Sequence, residues 1–360
     1  MQDASYLDRA VDLADRGWGR VQPNPLVGAV IVKDGQIIGE GWHRVFGGPH
    51  AEIEALRMAG AAARGATLYV SLEPCAHTGK TPPCTDAILA AGIARVVYGA
   101  TDSTVRARGG AEQLRQSGVT VDGPLAAERV RRQNRAFFHV HERASTYIAL
   151  KLAVSLDARI SQRRDAPTPL TGPEAMAEVH RLRAGFDAIL IGRGTAAADD
   201  PLLTVRGTVA PRVAPARIIL DTHATLGSDL RIFASARAGP VWVVAAEGAP
   251  ADRVAKLERA GARVLRVPPT ADGVDVRIAF QRLRLHGVHT IFCEGGGLLA
   301  ASLLAADLVQ RLYLFIAPVI LGEGAVPAFP ASAVNARRLR TVGTHLLGAD
   351  ALLILDRIGG

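Results

Sequence analysis

The sequence predicts a chain of two α/β domains, covering residues 1–145 and 146–360. Its 360 residues exceed the ~100–200 residues of one typical domain. In both halves, short apolar segments typical of buried strands alternate with segments of helical periodicity. The alternation restarts after a polar seam at residues 143–147. No apolar run approaches the ~20 residues of a membrane-spanning helix, so no membrane association is expected.

The first half begins with a helix and continues with strands and helices in turn. An apolar stripe from Leu7 to Ala14 has helical spacing and predicts an N-terminal helix. Asp34-Gly35 between two apolar segments predicts a β-hairpin over residues 26–41. The later predicted elements are a helix from residue 51, a strand at 67–72, a helix from residue 85, a strand at 95–100, a helix at 111–116, a strand at 119–121 and a helix at 128–138.

The second half repeats the alternation and ends differently. Its predicted elements are a strand at 147–157, a helix at 173–182, a strand at 188–192, a long polar loop at 192–206, strands at 217–221, 241–246, 263–267 and 290–293, a helix at 298–308 and two long strands at 312–320 and 351–356. The last two strands have no helix between them. They therefore predict an antiparallel edge on a mostly parallel sheet.

Three side chains of the first half form the ligand set of a catalytic zinc site. His50, Cys75 and Cys84 supply one imidazole and two thiolates, which leaves a fourth coordination position for water. A zinc ion bound there lowers the pKa of that water, and Glu52 is close enough to exchange a proton with it. His-x-Glu followed by Pro-Cys and a second cysteine is typical of zinc nucleobase deaminases. The alternative is that the cysteines are ordinary buried thiols.

Charge and cysteine content limit the class of protein. The net charge of +8 and the isoelectric point near 9.9 suit either nucleic acid or small phosphorylated molecules. The arginines are dispersed without a dense basic tract, which favours small anions. The N-terminus has no basic segment of a signal peptide, and two of the three cysteines are assigned to metal. We therefore expect a cytoplasmic protein that binds neither membrane nor nucleic acid.

Further polar residues surround the predicted zinc site. Asn24 lies between two prolines just before the hairpin, and His43 follows the hairpin's second strand. Taken alone, Asn24 fits a turn and His43 a surface position as well as they fit ligand contacts. His77 and Lys80 lie between the two cysteines and must therefore border the site, where Lys80 could meet a phosphate. Asp102 follows the strand at 95–100, at the sheet edge where α/β proteins bind ligands.

In the second half, two segments point to a phosphate-bearing ligand. Glu294-Gly-Gly-Gly lies at a strand-to-helix junction, where backbone amides can approach a phosphate, although a tight turn would use the same glycines. The polar segment 192–206 follows a buried strand and contains Asp199-Asp200-Pro, which could also be a simple turn or cap.

The motifs resemble those of bifunctional riboflavin biosynthesis proteins over essentially the whole chain. His50-Ala-Glu52 with Leu72-Glu-Pro-Cys75-Ala-His-Thr-Gly-Lys-Thr-Pro-Pro-Cys84 is similar to their deaminase half. Lys151-Leu-x-x-Ser-Leu-Asp157, the segment 192–206 and Glu294-Gly-Gly-Gly are similar to their reductase half. The resemblance implies a cytidine-deaminase-like α/β/α domain followed by a dihydrofolate-reductase-like α/β domain.

The resemblance also implies two reactions. The first is the zinc-dependent deamination of 2,5-diamino-6-ribosylamino-4(3H)-pyrimidinone 5′-phosphate. The second is the NADPH-dependent reduction of the ribosyl side chain of 5-amino-6-(5-phosphoribosylamino)uracil to ribityl, by hydride transfer to C1′. The expected partners are these small molecules, and a homo-oligomer is expected.

Site residues follow from the resemblance, position by position. The implied catalytic groups are Glu52, Lys151 and Glu294, and the implied metal ligands are His50, Cys75 and Cys84. The implied substrate contacts are Asn24, His43, His77, Lys80 and Asp102 in the deaminase and Arg183, Leu203, Arg206 and Glu294 in the reductase. The implied cofactor contacts are Val154, Thr195, Asp199, Thr222, Gly296, Gly297, Leu298, Leu299, Ala300, Ala301 and Ser302.

The chain departs from the family pattern at two places. The family continues its aspartate with Pro-Asn-Pro, whereas this chain has Asp102-Ser-Thr-Val. The family has Ser-x-Trp-Ile-Thr between positions 160 and 171, whereas this chain has Pro167-Thr-Pro-Leu. Thr104 and Thr168 offer hydroxyl groups in place of the absent residues.

Two other functions fit parts of the sequence. A nucleic-acid deaminase with a binding platform in its second half would suit the positive charge. However, deaminases of that class have two residues between their cysteines, whereas this chain has eight. A single-function deaminase whose second half is catalytically silent is the other alternative. A salt-sensitive gel shift would indicate the first, and tight NADPH binding would argue against the second.

Overall fold

The computed structural model describes residues 2–104, 108–163, 168–235, 238–330 and 338–358. The chain divides into two compact units, residues 1–144 and 145–360. Both units are α/β, with helices and strands alternating along the chain. Within the described residues, no helix combines the length and apolar character that a membrane crossing requires.

In the described part of the first unit, five strands form one sheet in the order β2-β1-β3-β4-β5. The strands are β1 (Gly28–Lys33), β2 (Gln36–Trp42), β3 (Thr67–Leu72), β4 (Arg95–Ala100) and β5 (Thr120–Asp122). The helices are α1 (Gln2–Ala14), α2 (Ala51–Ala59), α3 (Cys84–Ala90), α4 (Gly110–Gln116), α5 (Ala127–Gln133) and α6 (Arg135–Arg143), with 3₁₀ turns at Asp15–Gly17 and Gly60–Ala63. β1 is antiparallel to both neighbours, whereas β3, β4 and β5 are parallel.

The predicted β-hairpin is confirmed. β1 and β2 pair in antiparallel register from Gly28 opposite Trp42 to Lys33 opposite Gln36. Asp34 and Gly35 form the turn with φ angles of 50° and 77°. Positive φ at both central residues matches the twist of the flanking strands, and Asp-Gly tolerates this conformation well.

The single helix predicted at 128–138 is wrong, because the chain forms two helices that meet at Asn134. The Asn134 side chain is buried and bonds to the backbone of Leu26: its Oδ1 accepts from the Leu26 amide at 2.7 Å, and its Nδ2 donates to the Leu26 carbonyl at 2.9 Å. These two bonds span more than a hundred positions of sequence. They pull the chain out of helical geometry at a residue that helices tolerate poorly in their interior.

Helix α2 lies unusually close to strand β2 because two glycines allow it. A side chain at Gly39 or Gly41 would collide with the α2 backbone; at Gly41 an added Cβ would overlap the Ala51 carbonyl and lie 2.5 Å from the Ala55 nitrogen. Ala51 and Ala55 are fully buried beneath this contact. The contact sets the position of the first turn of α2, where His50 is the N-cap.

The second unit is built on a larger sheet, in which nine described strands follow the order β11-β10-β9-β8-β14-β6-β15-β18-β17. The strands of this unit are β6 (Tyr147–Val154), β7 (Arg159–Ser161), β8 (Ala188–Gly192), β9 (Ala216–Leu220), β10 (Val241–Ala246), β11 (Arg263–Val267), β12 (Pro269–Thr270), β13 (Gly273–Val274), β14 (Thr290–Cys293), β15 (Arg311–Ile316), β16 (Val326–Pro327), β17 (Leu339–Leu347) and β18 (Asp350–Arg357). The helices are α7 (Pro173–Arg183), α8 (Arg193–Asp199), α9 (Arg231–Ala234), α10 (Ala251–Arg259), α11 (Val276–Leu285) and α12 (Gly297–Ala305).

The predicted antiparallel edge of this sheet is confirmed. Every pairing from β11 to β15 is parallel, whereas β18 is antiparallel to both β15 and β17. The sequence analysis missed β17, because this edge strand is largely exposed and has no continuous apolar run. Arg311 of β15 and Asp356 of β18 pair across the register with a 2.7 Å ion pair that is almost fully buried.

The loop predicted over residues 192–206 is only partly a loop. Residues Arg193–Asp199 form helix α8, which ends at Asp200 with a φ of 39°. The three alanines at 196–198 are strong helix formers, so local propensity prevailed over the polar character of the segment. The helix places Thr195 and Asp199 about one turn apart.

We expect the substitution Gly41→Ala to destabilise the first unit by about 1–3 kcal/mol, because the added methyl group overpacks the contact between β2 and α2. The substitution should also lower the amount of zinc retained after dialysis, since the first turn of α2 carries His50. Chemical denaturation and zinc analysis of the full chain measure both effects. Gly248→Ala is the control, because its new Cβ would meet nothing within 4 Å at an ordinary φ. Equal losses in the two variants would contradict the expectation.

Candidate active sites

The three predicted zinc ligands lie together in the first unit. His50 Nδ1 is 3.2 Å from Cys84 Sγ and 3.6 Å from Cys75 Sγ, and all three ligand atoms lie within 4.8 Å of one another. Tetrahedral zinc with bonds of ~2.0–2.3 Å requires ligand separations of roughly 3.3–3.8 Å. Both the donor set and the spacing therefore fit zinc.

Each ligand is presented by a different local structure. His50 caps α2, Cys84 is the first residue of α3, and Cys75 follows β3 in the connecting segment. Cys75 is also tied to α3, because its Sγ accepts from the Cys84 amide at 3.4 Å and its carbonyl accepts from the Thr85 amide at 3.3 Å. Helix N-termini favour negative charge, so this placement favours a thiolate at the cluster.

The groups of this cluster influence one another's protonation. The hydrogen bond with the Cys84 thiol lowers the pKa of Cys75, and the same bond raises the pKa of Cys84. Burial raises the pKa of Glu52, whose side chain lies beside the cluster and is almost inaccessible to solvent. A carboxyl group in such a place can hold or release a proton close to the metal position.

A pocket of about 620 Å³ opens over the cluster. All five predicted substrate contacts of the deaminase line it, together with Glu52, His50 and Cys75. Lining residues that were not predicted from the sequence as contacts include Phe46, Glu73, Thr81, Ser103, Phe137 and His141. Thr104, whose hydroxyl was expected to replace an absent residue, lines the pocket as well. Glu73, Thr81 and Ser103 are neighbours in sequence of predicted site residues, so this adjacency could have identified them. Phe137 and His141 come from a distant helix that no local signal connects with the site.

Asn24 and His43 form one hydrogen-bonded unit on the pocket wall. His43 Nδ1 donates to the Pro49 carbonyl at 3.0 Å, which leaves Nε2 to accept from Asn24 Nδ2 at 3.1 Å. His43 is buried, and this burial lowers its pKa, so the neutral imidazole required by this arrangement is favoured. The bond to Pro49, next to the ligand His50, also connects this wall to the metal cluster.

Asp102 is held at the pocket by two short hydrogen bonds from Thr104. Its Oδ1 accepts from both the amide and the hydroxyl of Thr104 at 2.7 Å. Behind it, the buried Glu73 carboxylate accepts from the amides of Gly109 and Ala111 at 3.0 and 3.2 Å. Thr104 thus uses its hydroxyl to orient Asp102. Residues 105–107, which follow this departure from the family pattern, lie outside the described residues.

The segment between the two cysteines covers the pocket with polar groups. Lys80 is exposed, and its Nζ lies 4.1 Å from the centre of the Phe46 ring. His77 lines the same pocket, and its Nδ1 is buried without a hydrogen-bond partner among the described residues. Thr81 Oγ1 lies 3.4 Å from His50 Nε2, the ring nitrogen that a metal on Nδ1 leaves as a donor.

In the second unit, a buried ion pair lies next to a half-buried lysine. Arg183 contacts Glu294 through two bonds, Nε to Oε1 at 2.5 Å and Nη2 to Oε2 at 3.0 Å, and each side chain is only 9% exposed. Burial alone raises the pKa of Glu294, but the Arg183 guanidinium outweighs it and the net shift is downward. Burial lowers the pKa of Lys151 on β6, and the charge of Glu294 opposes that shift.

The predicted reductase contacts around this pair differ in exposure. Arg206 is exposed, and its amide donates to His180 Nδ1 at 3.2 Å. Leu203 is buried in an apolar cluster and has a φ of 50°, a strained conformation for a leucine. Fully buried Arg217 anchors the same segment through a bond from Nη1 to the Leu202 carbonyl at 3.3 Å. The Leu203 side chain is therefore part of the apolar core rather than an open contact surface.

The predicted cofactor contacts gather at the carboxyl ends of parallel strands. Thr195 Oγ1 accepts from the Gly296 amide at 3.3 Å, so α8 and the start of α12 meet there. Burial raises the pKa of Asp199, and the Lys151 ammonium opposes the rise, which places these two groups near each other. Val154 is buried at the end of β6, and Thr222 follows β9.

The residues predicted along α12 do not all face the same way. Ala300 and Ala301 are buried, and Ala300 belongs to the main core of the unit. Leu299 packs against that core, Leu298 is exposed, and the Ser302 hydroxyl donates to the Leu298 carbonyl at 3.0 Å. Gly296 has room beside it for the close approach of a phosphate, whereas a side chain at Gly297 would collide with the carbonyls of Pro327 and Ala328.

Only part of the second departure from the family pattern, between positions 160 and 171, falls within the described residues. Pro167 lies outside the described residues. The Thr168 hydroxyl is engaged within its own loop, where it accepts from the Gln162 amide at 2.9 Å and lies 3.0 Å from the Ser161 hydroxyl.

Two family models match the chain, one in each unit. Residues 1–100 match the cytidine and deoxycytidylate deaminase zinc-binding region, and residues 146–353 match the RibD C-terminal domain. The predicted α/β fold class and the predicted family are thereby confirmed.

Characterised relatives extend over both units. The riboflavin biosynthesis protein RibD of Escherichia coli (strain K12) is 39% identical over 337 residues, 90% of either chain. That of Aquifex aeolicus is 38% identical and covers 89% of this chain and 88% of the relative. The solved structure of Acinetobacter baumannii RibD has a TM-score of 0.84 at 33% identity, covering 99% of both chains. A diaminohydroxyphosphoribosylaminopyrimidine deaminase/5-amino-6-(5-phosphoribosylamino)uracil reductase from Thermotoga maritima has a TM-score of 0.82 at 32% identity over the same share. This chain therefore belongs to the RibD family of riboflavin biosynthesis enzymes, which combine a deaminase and a reductase.

Proposed function

We propose that residues 1–145 deaminate 2,5-diamino-6-ribosylamino-4(3H)-pyrimidinone 5′-phosphate and that residues 146–360 reduce the deaminated product. The observation that carries the first half is the cluster of His50, Cys75 and Cys84 at zinc-ligand spacing on the floor of a 620 Å³ pocket, with Glu52 beside it. Family membership supports both activities and does not favour a single-function deaminase.

In the first reaction, zinc supplies, when bound, a Lewis acid at the open coordination position that lowers the pKa of water. Glu52 takes up the proton of the attacking water and passes it to the amino group that leaves as ammonia. The neutral His43 keeps Asn24 oriented through its 3.1 Å contact, so the Asn24 carbonyl is turned to accept from the pyrimidinone. Asp102 accepts from the ribose hydroxyl groups, and Lys80 binds the phosphate.

In the second reaction, NADPH supplies the hydride when bound at the glycine turn and Thr195. Lys151 provides the accompanying proton to the opened sugar, since burial makes its ammonium a readier donor than a solvated lysine. Glu294 remains ionised by its pairing with Arg183 and orients Lys151. Arg206, which is exposed, and the remaining N–H groups of Arg183 bind the substrate phosphate.

The proposal includes a location and an assembly state. The three described cysteines are free and two of them form the metal cluster, which suits the reducing cytoplasm. The second unit exposes the large apolar side chains Ile320 and Leu346, which self-association into a homo-oligomer would cover. Light scattering on the purified chain measures the assembly state.

A single assay tests the two reactions together. The purified zinc-loaded chain is mixed with the diaminopyrimidinone phosphate, and ammonia is measured with and without NADPH. We expect ammonia in both cases and an equal molar loss of NADPH when it is present. Ammonia without NADPH oxidation would show a silent reductase, and the absence of ammonia would refute the proposed substrate.

We expect Glu52→Gln to lower ammonia release by about 10²–10⁴-fold, because it removes the group that transfers the proton. The zinc content should stay unchanged, since Glu52 is not a ligand. Glu54→Gln is a matched control two residues further along α2, where Glu54 pairs with Arg44 and Arg57 outside the pocket. Loss of zinc together with activity in Glu52→Gln would mean that Glu52 binds the metal.

We expect Lys151→Met to lower NADPH oxidation by at least ~100-fold while ammonia release continues, because the amine is lost but its apolar stem is retained. Lys256→Met on the exposed face of α10 is the control. Both rates can be read from the assay above. Undiminished NADPH oxidation in Lys151→Met would exclude Lys151 as the proton donor.

A further inference from the structure

One wall of the deaminase pocket comes from helix α6, which the sequence analysis did not connect with substrate binding. Phe137 and His141 both line the pocket. They lie four residues apart and therefore on the same face of the helix. Their ring centroids are 4.5 Å apart with an angle of 55° between the planes. The two rings thus form a continuous aromatic surface along the pocket.

The position of this wall is fixed by the break between α5 and α6. Asn134 begins α6 and is bonded to both backbone groups of Leu26, at 2.7 and 2.9 Å. The segment just before Leu26 contains Asn24, which lines the same pocket. Phe138, next to Phe137, is buried in an apolar cluster, whereas Phe137 remains half-buried at the pocket. Phe137 packs against the edge of the same cluster, with its ring centroid 5.5 Å from that of Phe138, and presents its remaining surface to the pocket.

The shape of the substrate decides which part of it meets this wall. The carbon that loses its amine must lie over His50, Cys75 and Glu52, which are buried or half-buried at the floor. The 5′-phosphate is at the other end of the substrate and must lie towards solvent. Lys80 and His141 are exposed lining residues that can donate hydrogen bonds to an anion there.

His141 and Asp102 line the same pocket. Burial raises the pKa of Asp102, and the charge of His141 is among the influences that oppose this rise. His141 is thus near Asp102, in the part of the pocket lining where the ribose is expected. Lys80 is held elsewhere, over the Phe46 ring at 4.1 Å. The two donors belong to separate segments of the pocket lining.

We propose that Phe137 and His141 determine the specificity of the deaminase: the Phe137 ring packs against the pyrimidinone, and a ring N–H of His141 joins Lys80 in binding the 5′-phosphate. This inference rests on the proposed function of the pocket. It assigns to α6 the discrimination between the phosphorylated substrate and its dephosphorylated form. Base-to-aromatic contact does not depend on the phosphate, so the two residues have separable effects.

The test compares ammonia release from the diaminopyrimidinone ribose 5′-phosphate and from the same compound after removal of its phosphate. His141→Ala should lower kcat/KM for the phosphorylated compound by about tenfold, mainly through KM, because a hydrogen bond to a charged group is lost. It should leave the dephosphorylated compound unaffected. Phe137→Ala should lower kcat/KM for both compounds by a similar factor.

A control variant, a substitute variant and two measurements of folding accompany this test. His139→Ala replaces a histidine of the same helix that does not line the pocket, and it should leave both rates unchanged. Phe137→Leu keeps an apolar side chain for packing and replaces Phe137→Ala if that variant folds poorly. It should likewise lower kcat/KM for both compounds. Zinc content and melting temperature report on folding in each variant.

Distinct results would overturn distinct parts of the inference. Equal losses on both compounds in His141→Ala, or no loss on either, would refute the phosphate contact. Full activity of Phe137→Leu on both compounds would refute the aromatic contact. No ammonia from either compound with the unaltered enzyme would refute the proposed function itself, and the role of α6 with it.

Discussion

The deaminase site depends on the close approach of a helix to a strand. Gly39 and Gly41 let the α2 backbone lie directly on β2, and this contact positions the helix turn that begins at His50. Two other elements, the end of β3 and the start of α3, bring Cys75 and Cys84 to the same point. A zinc site tolerates little error in ligand position, so the metal cluster requires this tight packing behind it.

The second site depends on buried charge that is paired. Removing Arg183 and Glu294 from water is costly, and their two-bond contact offsets the cost. Lys151 lies near the negative charge of Glu294 and the positive charge of Arg183. The three groups meet because β6, β14 and α7 bring them to one edge of the parallel sheet. Open α/β sheets bind their ligands at this edge.

Local patterns predicted much of this arrangement, and their failures have physical causes. Asp34-Gly35 predicted its hairpin because the turn conformation is a property of those two residues. The single helix expected at 128–138 was wrong because Asn134 bonds to Leu26, a partner that no local pattern reveals. The loop expected after residue 192 contains α8, because a run of alanines outweighs a few polar neighbours.

The sequence by itself determined the donor set of His50, Cys75 and Cys84, the carboxyl group of Glu52 beside it and the family to which both halves belong. These are properties of residue type and spacing. The tertiary structure alone decided which other groups face the substrate. The pairing of Arg183 with Glu294 and the wall formed by Phe137 join segments far apart in the chain. Such contacts arise only when the whole fold is packed, because side-chain direction depends on neighbours that local sequence does not specify.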